Sequence, residues 1–274
     1  RFPGTLGLMR QNPHQPPFDR VSLLQGDDLI SGVEVLDSAR LEDLLTHLQP
    51  ACILNCVGLI KQLPQAQDAH LSIALNALLP HLLAKWAGSW GGRVIHFSTD
   101  CVFDGHRGGY TETDVPNATD LYGRCKSLGE VTTDNALTLR SSIIGRQLSS
   151  HRSLLDWFLA QEGQCVRGFR QVIYSGITTL EMAEVITLIL QRFPHLTGLY
   201  QVAADPISKY ELLLLLRDAY GLHVTITPDD RETSNRHLLG DKFHAATGYL
   251  APAWPTLVKH LAEDPTPYAD WGIT

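Results

Sequence analysis

The chain has 274 residues, 44% of them hydrophobic and 19% charged, with a formal net charge of -7. That length suits one large α/β domain, or such a domain with a smaller lobe, and the composition is that of an ordinary soluble globular protein. The acidic balance argues against a nucleic-acid backbone or an anionic membrane as the main partner, and no apolar run reaches the roughly 18 residues of a membrane span. Cys52, Cys56, Cys101, Cys125 and Cys165 are odd in number and lack metal-ligand spacing, so reduced thiols and a cytoplasmic location are expected. The twelve histidines are scattered, with no His-x-x-x-His pair, and no metal site is expected.

Along the chain, Gly4 to Met9 reads as a strand ending in the cation Arg10, and Val35-Leu36 as the end of a short second strand. Ser38 to Leu48 is an amphipathic helix with Asp37 or Ser38 as its cap. Ala51 to Gly58 is a buried strand running into a glycine turn, Asp68 to Trp86 is helical, and Arg93 to Phe97 is a second buried strand. A helix holding Tyr122 and a strand at Ala136 to Arg140 follow. Strands alternating with helices of this length imply right-handed crossovers and a doubly wound parallel sheet of Rossmann type. Beyond Gly145 the pattern loosens. Ser153–Ala160, Thr179–Phe193 and Lys209–Tyr220 read as helices, with strands at Val172–Tyr174, Gly198–Val202 and Val224–Thr227. Asp241–Ala246 and Trp254–Ala262 complete the helices. The expected division is a Rossmann-type domain over 1–146 and a small C-terminal substrate lobe over 147–274.

The chemistry concentrates in Tyr122-Gly-Arg-Cys-Lys126 and Ser98-Thr99-Asp100. Residues four apart share a helix face, so the phenol and the ammonium can point into one cleft, and the ammonium is expected to lower the tyrosine pKa. Such a tyrosine can give a proton to a carbonyl oxygen, and Thr99 can hold the same oxygen. Thr99 also follows a buried strand, at the carboxyl end where ligands bind in open parallel sheets. Taken alone, Tyr-x-x-x-Lys is a spacing that chance produces often, and a solvated helix start would look the same.

Ile95-His-Phe-Ser-Thr-Asp-Cys-Val-Phe-Asp-Gly105, Tyr110-Thr-Glu-Thr-Asp114, Leu121-Tyr-Gly-Arg-Cys-Lys126 and Gly129-Glu130 resemble the dTDP-4-dehydrorhamnose reductase branch of the extended short-chain dehydrogenase/reductases. The resemblance makes Thr99, Tyr122 and Lys126 a catalytic trio. It implies NADP(H) as cofactor and a nucleotide-linked 4-keto-6-deoxysugar as substrate, in the making of surface polysaccharides. A homodimer is the assembly to test. Cys101 stands where a tyrosine is usual in that branch.

For the cofactor, Arg10 at a strand end is placed to pair with a ribose 2′-phosphate, with a solvated arginine as the weaker alternative. By resemblance, Glu34 and Val35 would meet the adenine, and Cys56, Val57 and Gly58 would form the turn along the dinucleotide. Asn76 would help hold the site, with Ser98 and Ser142 beside Tyr122 and Lys126. The substrate pocket would draw on Thr99, Asp100, Cys101, Val102, Phe103, Tyr122, Ile143 and Ser175, with Arg236 on the diphosphate by bidentate pairing. Segments near 172–203 would return to the first domain. The first β-α unit with its glycine-rich turn is expected to be missing from this sequence, because Phe2-Pro3-Gly4 reads as the turn entering a second strand. Two rival functions stay open. One is an epimerase or dehydratase of the same superfamily, disfavoured because Cys101 stands where a dehydratase would carry glutamate. The other is a non-catalytic NADP-binding regulatory subunit.

Overall fold

A computed structural model describes residues 2–61, 63–148 and 153–271. The chain opens with β1 (Gly7–Leu8) and β2 (Leu29–Ile30), a short parallel pair extended by the bonds Met9 N–H to Ile30 O and Val33 N–H to Met9 O. The expected strand at Val35-Leu36 is instead a turn, and the strand ends earlier, at Ile30. Asp37 explains this, since its carboxylate accepts from Arg40 N–H and the chain before it is already committed to capping α1 (Ser38–Leu48).

The main sheet holds β3 (Cys52–Asn55), β4 (Arg93–Ser98), β5 (Ala136–Arg140) and β9 (Gly198–Gln201), in that spatial order and all parallel. Its strands are apolar on both faces, as parallel strands covered by helices must be. Val94 and Ala136 pack with Leu41 and Leu45 of α1 and with Leu79, Leu83 and Ala87. Ile95, Leu137 and Leu139 face a larger core on the other side.

The segment expected as one helix from Asp68 to Trp86 is compound. A 3₁₀ turn at Pro64–Gln67 leads to α2 (Ala69–Ser72), a π-helical turn at Ile73–Leu78 and then α3 (Leu79–Ser89). The widened turn is visible in Leu79 N–H donating to Ala74 O, five residues back. After β4 come a 3₁₀ turn at Asp100–Val102 and α4 (Leu121–Leu128), which returns to β5.

Beyond β5, β6 (Ile143–Ile144) pairs with β8 (Ile177–Thr178), and α5 (Leu154–Leu159) lies between them in sequence. The strand expected over three residues at Val172–Tyr174 is the end of a ten-residue β7 (Cys165–Tyr174). α6 (Thr179–Arg192) carries the chain back to β9 beside β5, so this stretch rejoins the first sheet. β10 (Ile207–Ser208) and β11 (Thr225–Asn235) flank β7, with α7 (Lys209–Tyr220) between them. α8 (Asp241–Thr247) and α9 (Trp254–Ala262) complete the described elements. β11 runs far past the expected Thr227 because Asp229 and Asp230 pair with arginines, Arg167 and Arg231 on the first and Arg170 on the second. Charge pairing across two strands leaves no hydrophobic alternation to read in either one.

Candidate functional site

β4 delivers Ser98 and Thr99 to its carboxyl end, and α4 brings Tyr122 and Lys126 to the same place. Two glycines permit the approach. A Cβ on Gly123 would lie 2.3 Å from Cys101 O, and one on Gly129 would lie 2.0 Å from Asn76 O, so neither position admits a side chain unless backbone moves. Asp120 caps α4, accepting from Gly123 N–H at 2.9 Å, and its other oxygen accepts from Lys61 at 3.0 Å. The helix that carries Tyr122 is therefore pinned at both ends.

Thr99 Oγ1 accepts from Cys101 N–H and donates to Asp100 Oδ1, each at 3.1 Å. Burial pushes the Tyr122 phenol up from its ordinary pKa, helped by the neighbouring Cys101 and Asp100, while a hydrogen bond with the Thr99 hydroxyl opposes the rise. This corrects the expectation that Lys126 lowers it: desolvation wins, and the phenol stays protonated at neutral pH. Burial also raises the Asp100 carboxyl, and with Asp100 beside it the Cys101 thiol is pushed up to about 12.

Lys126 is buried. Its Nζ donates to Phe97 O at 2.6 Å and lies 3.4 Å from His96 Nε2. Burial lowers its pKa to about 8, against the opposing pull of Glu130. Glu130 is bound by Arg140 through two contacts of 2.6 and 2.7 Å, and Ser98 Oγ donates to it at 2.7 Å. Ser98 thus braces the floor of the site, its hydroxyl already engaged.

Asn76, on the π-helical turn, is fully buried. Its side chain accepts from Leu59 N–H at 2.9 Å and donates to Leu59 O at 3.0 Å. It clamps the backbone that follows Cys56, Val57 and Gly58, which are exposed at the carboxyl end of β3. An exposed backbone turn held rigidly from behind suits close approach of a dinucleotide. Arg10 is exposed just beyond β1; Glu34 is exposed and accepts from Leu36 N–H, and Val35 is half-buried.

Other expected substrate contacts are relocated. Val102 and Phe103 are buried with Tyr110 and Leu238, Phe103 stacking on Tyr110 at 4.0 Å, so their side chains pack into the protein beside Thr99. Ser175 is buried and its Oγ accepts from Leu238 N–H at 2.9 Å. Arg236 spends three of its five N–H groups on the protein: Nε on Phe103 O at 2.8 Å, Nη2 on Asp104 O at 3.1 Å and Nη1 on Ser234 Oγ at 3.0 Å. It braces β11 against the loop after Thr99, which corrects the idea of a guanidinium free to grip a diphosphate. Ser142 is half-buried and Ile143 is exposed, on the segment that pairs with β8.

Two residues at the site escaped sequence reasoning. Lys209 opens α7 with Nζ 4.4 Å from the ring centroid of Tyr174, and its charge acts on Asp100. The Tyr174 hydroxyl is buried beside Ser142. Their one signal was Ser208-Lys209-Tyr-Glu211, a capping box that marks a helix start but says nothing about where that start points.

Residues 21–152 match the family model "RmlD substrate binding domain". Methionine adenosyltransferase 2 subunit beta of Danio rerio is 29% identical over 202 residues, 69% of this chain and 61% of that protein's length. The dTDP-4-dehydrorhamnose reductase of Salmonella typhimurium is 27% identical over 247 residues, 80% of this chain and 81% of that one. A solved dTDP-4-dehydrorhamnose reductase from Bacillus anthracis, in complex with NADP, has the same fold, with a TM-score of 0.77 at 17% identity over 95% of this chain and 99% of that one. The chain is thus similar in sequence to a dTDP-4-dehydrorhamnose reductase over most of its length and shares the fold of the solved reductase.

Proposed function

We propose that the chain is an NADP(H)-dependent reductase of a nucleotide-linked 4-keto-6-deoxysugar. The observation that carries this reading is the meeting of the Thr99 and Tyr122 hydroxyls at the end of β4, with Lys126 one helical turn along the same face. Bound NADPH would supply the hydride for the keto carbon. Cys56, Val57 and Gly58, clamped by Asn76, would receive the dinucleotide, with Arg10, Glu34 and Val35 toward its adenosine end and Ser142 near the nicotinamide.

Tyr122 acts as the general acid. Its O–H bond breaks as the alcohol O–H forms on the former carbonyl oxygen. A phenol whose pKa is raised by burial is in the right protonation state for that direction at neutral pH. The single O–H of Thr99, directed at Asp100 in the structure, would turn to hold the same oxygen when the sugar binds. Asp100, Cys101 and Lys209 shape the polar end of the sugar pocket. The likeness to the Salmonella and Bacillus reductases supports the substrate class.

The likeness to methionine adenosyltransferase 2 subunit beta favours a second reading, in which the chain binds dinucleotide as the subunit of another enzyme. Steady-state NADPH oxidation with a panel of nucleotide-linked keto sugars separates the two. On the first reading one sugar supports turnover and Tyr122→Phe lowers it at least ~10²-fold, with the fold retained. Full turnover by Tyr122→Phe would overturn the assignment. Tight NADPH binding with no turnover on any sugar would favour the subunit.

A further inference from the structure

Behind Lys126 lies a buried polar chain that reaches back to β3. Asn55, at the end of β3, is buried, and its Nδ2 lies 3.1 Å from His96 Nδ1 on the neighbouring strand. Its Oδ1 accepts from Val57 N–H at 3.2 Å, which fixes the amide with its NH₂ group toward the ring. His96 is wholly buried among β3, β4 and α4, and its Nε2 lies 3.4 Å from Lys126 Nζ.

Hydrogen-bond polarity then dictates the rest. Asn55 donates, so His96 Nδ1 accepts. A neutral imidazole that accepts at Nδ1 carries its proton at Nε2. That N–H faces a lysine nitrogen whose own N–H already donates to Phe97 O. An ammonium there would present donor to donor, whereas an uncharged amine would accept. We propose that Asn55 and His96 form a buried positioning relay that fixes the Nε2–H tautomer and thereby weakens the hold of Lys126 on its proton.

The surrounding charges point the same way. Burial and the Lys126 charge hold His96 neutral, its pKa lowered to about 2, with His81 of α3 adding to the effect. Glu130, just past α4, acts on Lys126 and is already bound by Arg140 of β5. Tyr122, on the same helix, stays a neutral phenol. Glu130 opposes the loss of the Lys126 proton, but its Coulombic pull is shared with Arg140.

The catalytic consequence rests on the reductase reading, but the relay is tested without turnover. In the full chain labelled with ¹⁵N-histidine, His96 should show a protonated Nε2 and a bare Nδ1, unchanged down to about pH 5. Its signal is identified by loss in His96→Gln or, should that variant not fold, as a ring that stays neutral in acid. With ¹³C-lysine, Lys126 should titrate near pH 8. Asn55→Asp keeps the acceptor for Val57 N–H but offers the ring a carboxylate. It should move the ring proton to Nδ1 and raise the proton affinity of Lys126 roughly tenfold or more. A proton on Nδ1 in the parent chain would overturn the proposal, as would a lysine titration unmoved by Asn55→Asp. Either failure would leave the assignment of Thr99 and Tyr122 untouched.

Discussion

At the scale of single residues, burial sets the chemistry more strongly than neighbouring charge does. The spacing of Tyr122 and Lys126 was legible, but the direction of the tyrosine shift was not, because sequence gives charge partners and says nothing of desolvation. His96 makes the point in a measurable way. Its folded pKa, about 2, lies below its ordinary 6.5, so between those values the unfolded chain binds a proton that the native chain refuses. Stability is therefore lost as pH falls through that window. Between pH 7 and pH 5 this one ring should cost about 2 kcal/mol. Urea midpoints at the two pH values should show the loss, and His96→Gln should flatten it. Arg10 tests cofactor choice at the same scale. Arg10→Ala should weaken NADPH roughly ten- to hundredfold and spare NADH, since only the former carries a 2′-phosphate. Isothermal titration with both dinucleotides checks this, and equal losses would remove Arg10 from the site.

At the scale of elements, hydrophobic period located the regular pieces and failed where polar residues build them. α1, α7 and α9 fall on the expected bounds because their apolar stripes repeat at helical spacing and their ends carry caps or prolines. The π-helical turn at Ile73–Leu78 left no such trace, being a widening of one turn inside an unbroken apolar pattern. It places Asn76 against Leu59, where two hydrogen bonds hold the turn after β3. Asn76→Ala should leave both Leu59 groups without those partners, costing about 1–3 kcal/mol. Urea denaturation should show that loss, and dinucleotide affinity should fall with it. Unchanged stability would mean that the turn is held elsewhere. β7 and β11 were under-read for a related reason: their partners are ionic, and ion pairs across strands have no period.

At the scale of the whole molecule, long-range polar contacts tie the last third of the chain to the site. Arg236 reaches Phe103 O and Asp104 O from the end of β11, and β9 returns to β5 from beyond α6. In Arg236→Lys the three N–H groups all leave one nitrogen and cannot span acceptors that Arg236 reaches from three, so the melting temperature should fall, by the equivalent of roughly 1–2 kcal/mol. The KM for a sugar nucleotide should change little. A raised KM at unchanged melting temperature would restore the diphosphate role. By itself the sequence determined the α/β class, the order of the main-sheet strands along the chain, and the trio of Thr99, Tyr122 and Lys126 on a strand end and one helix face. The first two depend on periods only a few residues long, and the trio on short motifs read through the family resemblance. Only the tertiary structure decided that Val102, Phe103 and Ser175 are buried supports, that Arg236 is a strut, and that Lys209, Tyr174, Asn55 and His96 surround the site. Each depends on a contact between residues distant in the chain, and the burial that fixes their protonation and partners exists only once the sheet and its helices have closed around them.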